Sequence, residues 1–255
     1  MKTWACRLLH MCLDIKEGAI FISDAHDNDQ RDYFWQFLQL IATKQIKTPQ
    51  LFLMGDMFDL LVGEVQYLTE KYKKYIQLLE QLAREIDIYY LEGNHDFALK
   101  ALFHHVHVYT IEEQPLIARI LGQKVLLLHG DKYGSIWHRV YTKMIRNRLL
   151  LRVLNLCDVW CQSCISKKIS NRLLQKNICT QIEGFPHIID TKIQNFMTKE
   201  TDFIAEGHYH QNKAFECHDI QYINFSSFAC EQSYFVVQFN TDIKFIEKKL
   251  RGFDV

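Results

Sequence analysis

Five short clusters of carboxylates, imidazoles and one amide punctuate the chain: Asp24-Ala25-His26, Gly55-Asp56-Met57-Phe58-Asp59, Gly93-Asn94-His95-Asp96, His129-Gly130-Asp131 and Gly207-His208-Tyr209-His210. None contains a cysteine. Oxygen and imidazole donors without thiolate suit borderline divalent ions such as Mn²⁺, Fe²⁺ or Zn²⁺, whereas thiolates would indicate a structural zinc. The candidate ligands Asp24, His26, Asp56, Asn94, His129, His208 and His210 are more than one ion needs. A carboxylate shared by two ions would let them sit about 3.5–4 Å apart, close enough to activate a water for in-line attack on phosphorus. Taken alone, each cluster also fits an ordinary loop or helix cap. Five in series, each at the end of an apolar run, do not.

Those runs are the elements that must position the clusters. Ala19–Ser23, Leu51–Met54, Ile88–Leu91, Val125–Leu128 and Phe203–Ala205 are short, apolar and β-prone, and each leads directly into a cluster. Between them, Asp32–Lys44 and Tyr67–Glu85 repeat apolar residues every three or four positions, which predicts helices. Strands alternating with helices imply an α/β fold, in which ligands gather outside the carboxyl ends of the strands. After Gln221 the pattern becomes mostly strand, at 222–225, 234–239 and 243–246, adding antiparallel strands.

At 255 residues and 48% hydrophobic, the chain can bury a substantial core, and no apolar run is long enough for a spanning helix. Only 3 prolines and 10 glycines leave no room for a flexible linker, so residues 1–255 are read as a single domain. The N-terminal residues lack a secretory signal pattern, which makes a cytoplasmic location the expectation. Eight cysteines are too sparse for a secreted disulfide scaffold, so reduced thiols are expected.

The 30 basic and 30 acidic residues cancel, but unevenly. Lys132 to Lys176 holds ten basic residues against Asp158 alone, within a helix-forming stretch, 134–177, that interrupts the strand–helix rhythm as an insertion. Its first part places Trp137, Val140, Tyr141, Met144 and Ile145 on one helical face, with Arg139, Lys143 and Arg146 largely opposite. A leucine-rich run from Leu149 to Leu156 then predicts exposed apolar surface. Basic residues mixed with Trp and Tyr suit an anionic membrane surface or an acyl-chain substrate, with Trp137, Arg139, Tyr141 and Lys143 as candidate substrate contacts. Packing within the insertion or against a second copy is the alternative; no nucleic-acid role is expected, because the leucines would add nothing to it. Cys157, Cys161 and Cys164 have the spacing of a radical iron–sulfur loop, yet they share one helix face without barrel motifs and are read as buried thiols.

As an ordered set, the five clusters resemble the signature of the calcineurin-like metallophosphoesterases, from about Ala19 to His210. The resemblance implies a double β-sheet sandwich flanked by helices, here with the basic insertion as a helical cap. It also implies two divalent ions, Mn²⁺ with Fe or Zn as alternatives. Asp24, His26, Asp56 and His210 would hold one ion; Asp56, Asn94, His129 and His208 the other, with Asp56 as the bridge. Asn94 and His95 would assist catalysis, with Asp96 orienting His95. Within that family the second and third clusters, and the place of the cap, look like those of the UDP-2,3-diacylglucosamine pyrophosphatases of lipid A synthesis. That likeness implies a lipid-linked nucleotide sugar, cleaved to UMP and a diacylated sugar phosphate at the cytoplasmic face of the inner membrane. His95 stands where those enzymes commonly have Arg, which keeps a soluble phosphomonoester or phosphodiester as the alternative substrate.

Overall fold

A computed structural model describes residues 13–131, 142–196, 201–239 and 242–250. In chain order the strands are β1 (Leu13–Asp14), β2 (Ile20–Ile22), β3 (Gln50–Leu53), β4 (Leu61–Val62), β5 (Asp87–Leu91), β6 (Asp96–Phe97), β7 (His107–Tyr109), β8 (Leu116–Ile120), β9 (Gln123–Leu128), β10 (Phe203–Glu206), β11 (Lys213–Cys217), β12 (Ile220–Asn224), β13 (Ser233–Phe239) and β14 (Ile243–Lys249). The α-helices are α1 (Tyr33–Ala42), α2 (Gln66–Lys71), α3 (Lys73–Leu82), α4 (Arg148–Trp160), α5 (Cys164–Leu174), α6 (Phe185–Phe196) and α7 (Phe228–Glu231), with a further helical turn at 142–145.

Two six-stranded sheets form, ordered β14-β13-β2-β3-β5-β7 and β1-β8-β9-β10-β12-β11. Successive side chains on a strand point to opposite faces, so each central strand serves two cores. Phe21, Phe52, Tyr89, Leu91, Leu127, Ala205 and Phe225 meet between the sheets. Their chain neighbours Ile20, Leu51, Ile88 and Tyr90 face outward onto α1 and α3. Leu126, Leu128, Ile204 and Tyr222 face the other way, onto Phe185, Ile189 and Ile193 of α6. The result is a helix–sheet–sheet–helix sandwich, the architecture the resemblance implied. Fully buried strands explain the near-continuous apolar runs in the sequence.

The long helix expected over Tyr67–Glu85 is two, broken at Tyr72. Tyr72 is buried and donates its hydroxyl to the Asp27 carbonyl at 3.1 Å, while Tyr75 donates to Asp27 Oδ1 at 2.6 Å. Two tyrosines three positions apart thus tie the helices to the loop that follows β2.

In the cap, α4 and α5 meet at 99°. No single helix among the described residues is long and apolar enough to cross a membrane. The expected exposed leucine surface is present: Leu149, Leu156 and Trp160 are 72%, 69% and 89% exposed. The expectation of reduced, buried thiols is overturned. Cys161 pairs with Cys164 across the α4–α5 bend and Cys179 with Cys230, at Cα separations of 5.5 and 5.8 Å that a disulfide spans. Cys157 and Cys217 are free thiols, and Cys157 is exposed. Cys6 and Cys12 lie outside the described residues.

Candidate metal centre

Strands β2, β3 and β5 are parallel neighbours in one sheet, and β9 and β10 in the other. Their carboxyl ends therefore carry all five clusters to one end of the sandwich. The polypeptide turns sharply there: Asp24, His26, Asp56, His208 and His210 have φ of 52°, 43°, 54°, 65° and 59°. Left-handed backbone at non-glycine residues is costly and gathers at functional sites. The loops also approach closely. A Cβ on Gly55 would stand 2.5 Å from His129 Nδ1, and one on Gly93 would stand 2.7 Å from the Asp56 backbone nitrogen, so neither position has room for a side chain.

Two buried triads result. Asp24, His26 and His210 have ligand atoms within 4.8 Å of one another, as do Asp56, His129 and His208. Asn94 Oδ1 lies 3.3 Å from His129 Nε2. His26, Asp56, Asn94, His95, His208 and His210 line one cleft of about 250 Å³, together with Lys176 and Thr180.

The hydrogen bonds around the rings decide what this arrangement can hold. His129 Nδ1 lies 2.9 Å from the Met54 carbonyl and His210 Nδ1 2.7 Å from that of Ile178. A carbonyl only accepts, so each Nδ1 carries a proton, which leaves Nε2 of each ring toward the carboxylates. That nitrogen faces Asp56 Oδ2 at 3.4 Å in His129, and Asp24 Oδ1 at 3.1 Å in His210. Asp24 Oδ1 and both ring nitrogens of His26 are buried without a hydrogen-bond partner. Burial opposes charge on both rings, but Asp56 raises His129 and Asp24 raises His210, so each pair calls for a positive charge between its atoms, as a proton or a metal ion. The donor set, carboxylate, imidazole and amide oxygen, fits divalent metals.

Electrostatics agree. Burial alone would raise the Asp24 carboxyl, but His210 and then His129 take it down to about 2. The Asp56 carboxyl is held well below its usual value against the same burial penalty, chiefly by His129 and His95. Burial, with His129 beside it, lowers His208 to about 3, so its ring is neutral and free to coordinate. The second oxygens of both carboxylates are occupied: Asp24 Oδ2 accepts from the His208 N–H at 2.9 Å and from the Ser23 hydroxyl, and Asp56 Oδ1 from the His95 N–H at 2.8 Å.

His95 donates from Nδ1 to the Asp59 carbonyl at 2.7 Å, and its ring packs 5.0 Å from that of His26. Its Nε2 is thus the atom left for substrate. The expectation that Asp96 orients His95 does not hold. Asp96 instead accepts from the backbone N–H groups of Asp56, Met57 and Gly93 at 3.0, 2.6 and 2.9 Å and from the Tyr90 hydroxyl at 2.6 Å, bracing the loop that carries Asp56. Of the substrate contacts expected in the cap, Trp137, Arg139 and Tyr141 lie outside the described residues, and Lys143 is exposed.

Arg146 and Lys176 stand in the cap beside the site. Both line a second, mostly apolar cavity of about 380 Å³ between the sandwich and the cap, walled by Leu60, Phe97, Leu151, Leu154, Ile169 and Leu173 and reaching Asn94 and His95 at one end. Two further buried residues escaped the sequence reading. Glu206 closes β10 directly before Gly207-His208, and Lys192 of α6 donates to its Oε2 at 2.6 Å. A carboxylate ending a buried apolar strand was a usable signal for a partner; Lys192 offered none, because α6 was not recognised.

Comparison with known proteins agrees with this geometry. The family model described as calcineurin-like phosphoesterase matches residues 19–212. A protein of Coxiella burnetii named UDP-2,3-diacylglucosamine hydrolase is 23% identical over 196 residues, 75% of this chain and 80% of that one. One of the same name from Stutzerimonas stutzeri is 28% identical over 60% of this chain and 65% of that one. Among solved structures, a phosphoesterase from E. coli aligns over 91% of this chain and 99% of its own, at 16% identity and a TM-score of 0.44.

Proposed function

The chain belongs to the calcineurin-like phosphoesterase family of metal-dependent hydrolases, and from that premise we propose that it cleaves the pyrophosphate of UDP-2,3-diacylglucosamine to UMP and 2,3-diacylglucosamine 1-phosphate. The observation that carries the substrate is the continuity between the ligand cluster and the apolar cavity at Asn94 and His95. Phosphate chemistry at one end and acyl-sized apolar walls at the other suit an amphiphilic phosphate, and relatives that bear this substrate's name support it.

The residues divide the work. Asp24, His26, Asp56 and His210 would hold one divalent ion, and Asp56, Asn94, His129 and His208 the other, with Asp56 common to both. When bound, such ions neutralise phosphoryl oxygens and activate water; Mn²⁺ is the proposed pair. The loops hold the ligands in fixed, largely buried positions, so little reorganisation accompanies charge build-up on phosphorus. Asn94 and His95, at the junction with the cavity, face the leaving side. His95 lines the cleft and, as a doubly protonated ring, would donate from Nε2 to the leaving oxygen.

We propose further that the enzyme works at the cytoplasmic face of the inner membrane; the exposed Leu149, Leu156 and Trp160 beside the basic cap support a lipid surface as the source of the substrate.

The test is mass-spectrometric product analysis of Mn²⁺-loaded protein with UDP-2,3-diacylglucosamine in detergent, beside the Asp56→Ala variant. UMP and the lipid phosphate, absent with the variant, support the reading. Survival of that substrate while an aryl phosphodiester is cleaved would overturn it in favour of a soluble phosphoester. The feature favouring that second reading is His95, whose doubly protonated ring would protonate an alkoxide from Nε2.

A further inference from the structure

Away from the cleft, Asp190, Cys217 and His218 bring a carboxylate, a thiol and an imidazole together, with their ligand atoms all within 4.8 Å of one another. Asp190 lies on α6, Cys217 ends β11 and His218 stands in the turn before β12. Cys217 pairs with Ile220, which leaves His218 and Asp219 as a two-residue loop with φ of 53° and 61°. Positive φ at both positions makes the tight turn whose twist suits two paired strands, and it sets the His218 ring beside Cys217 and against α6. Because β12 runs parallel to β10, with Gln221 opposite Phe203, this turn lies at the amino end of those strands. The clusters of the cleft lie at the carboxyl end.

His218 Nε2 and Cys217 Sγ both approach Asp190 Oδ1, at 2.8 and 3.4 Å. Gln194, one helical turn on, donates to Asp190 Oδ2 at 3.1 Å and so fixes which oxygen faces them. A surface ion pair between Asp190 and His218 needs no thiol and contributes little. Three different donors meeting at one point, with an outer partner orienting the carboxylate, match a metal site instead. Burial and the Asp190 carboxylate raise the Cys217 thiol, so it keeps its proton until a cation displaces it. The half-exposed Asp190 and His218 leave a path of entry and room for water as a fourth ligand.

Zinc sits about 2.0–2.3 Å from nitrogen, oxygen and sulfur ligands in a tetrahedron, so the Asp190–His218 contact has to open by only about 0.5 Å to admit it. A histidine in a surface turn has that freedom. Thiolate with imidazole favours Zn²⁺ or Co²⁺ over Mn²⁺.

We propose that Asp190, Cys217 and His218 form a separate mononuclear site for a zinc-class divalent ion, which fastens α6 to the β11–β12 hairpin at the sheet edge. Binding releases the thiol proton to solvent, and water completes the four ligands. The site stands apart from the cleft and does not depend on the substrate reading.

Absorption spectroscopy with Co²⁺ tests it, because a thiolate ligand gives an intense near-ultraviolet charge-transfer band that carboxylate and imidazole ligands do not. The full chain, loaded with Mn²⁺ and kept under argon with its disulfides intact, is titrated with Co²⁺. Wild type should develop a saturable band, whatever metal occupies the cysteine-free cleft. Equimolar Zn²⁺ should bleach it, and equimolar Mn²⁺ should not. Cys217→Ser should abolish the band. Asp190→Asn and His218→Ala keep the thiol but should raise the Co²⁺ concentration at half-saturation by more than about tenfold, the least that disturbing a metal's ligands costs. Far-ultraviolet circular dichroism checks that each variant is folded. No band in wild type, a band that survives Cys217→Ser, or half-saturation unmoved by Asp190→Asn and His218→Ala would overturn the site; the last outcome would mean adventitious coordination by one thiol. Zn²⁺ should also raise Tm of the wild type by several degrees more than that of Cys217→Ser, and equal shifts would overturn the fastening role.

Discussion

His129 turns Nε2 toward Asp56 Oδ2 at 3.4 Å while its Nδ1–H is tied to the carbonyl of Met54. The ring therefore has one orientation, with Nε2 set against a carboxylate oxygen that can only accept. The second triad repeats the arrangement, with His210 held by Ile178 and facing Asp24. Both pairs call for a positive charge between ring and carboxylate, as a proton or a metal ion.

Removing the shared carboxylate should therefore remove both the chemistry and the metal. Asp56→Ala is expected to lower kcat/KM by about 1,000-fold or more, the scale of losing preorganised charge at a phosphoryl oxygen. Metal content measured by plasma mass spectrometry should drop below two ions per chain. A variant retaining two ions and full activity would exclude Asp56 as the bridge.

Metal removal should destabilise the fold as well as silence it. A ligand that binds only the folded chain stabilises it, and at a hundred times its Kd contributes about 2.7 kcal/mol. At about 2–4 °C per kcal/mol for a chain of this size, chelation should lower Tm by several degrees, and Mn²⁺ should restore it. An unchanged Tm would mean that the triads are satisfied without metal.

A smaller change probes the closeness of the loops. Gly93→Ala introduces a Cβ 2.7 Å from the backbone nitrogen of Asp56, which cannot move because Asp96 holds that N–H at 3.0 Å. Metal affinity should fall by about 10–100-fold, as for other disturbances of groups that orient ligands. Far-ultraviolet circular dichroism should be unchanged, since the core strands do not depend on this contact.

The exposed cap surface makes a separate prediction. Leu156→Glu combined with Trp160→Glu replaces two strongly exposed apolar side chains without touching the cleft. If these residues insert into lipid, each contributes on the order of 1.5 kcal/mol, and co-sedimentation with anionic vesicles should fall by more than about tenfold. Turnover of a soluble aryl phosphodiester should be unaffected. Unchanged vesicle binding with altered oligomeric state would assign the surface to a second copy of the chain.

The parts of the site legible in the sequence are those contiguous with a buried strand. Asp24, Asp56, Asn94, His129 and His208 each follow an apolar run within a few residues, and a polar residue at the end of such a run has few bland explanations. The edge strands β7 and β11, and β8 next to an edge, were missed because their runs are short and mixed, as at Lys213–Cys217. Arg146 and Lys192 were opaque for another reason: a lone cation on a helix looks solvated until the fold shows what it faces. The role of Asp96 was misassigned because adjacency to His95 in sequence says nothing about direction; the Asp96 carboxylate turns to the backbone N–H groups of Asp56, Met57 and Gly93, and His95 to the Asp59 carbonyl. The pairing of Cys179 with Cys230 spans 51 residues and has no spacing signature.

Lys192 links the outer helix layer to two of the ligand loops. From α6 its Nζ donates to Glu206 Oε2 at 2.6 Å and to the Gly130 carbonyl at 3.1 Å, and it approaches the Tyr209 hydroxyl at 3.4 Å. Gly130 follows His129, and Tyr209 lies between His208 and His210, so one ammonium group spaces the fourth and fifth clusters. Burial works against its charge, but the Glu206 carboxylate holds Lys192 above the usual lysine value. A lysine raised in this way stabilises the fold fully below its unfolded value of about 10.4, and that contribution is lost as pH rises through the folded value. Wild-type stability should therefore decline in the alkaline range above about pH 10.4. Lys192→Met keeps the apolar stem but leaves Glu206 buried and uncompensated, at a cost of about 3–5 kcal/mol near neutral pH. Lys192→Met/Glu206→Gln should recover most of that loss, because neither charge is then stranded. If Lys192 also positions the ligand loops, the double variant will be stable yet bind metal more weakly than wild type. Full metal affinity in the stable double variant would confine Lys192 to a structural role.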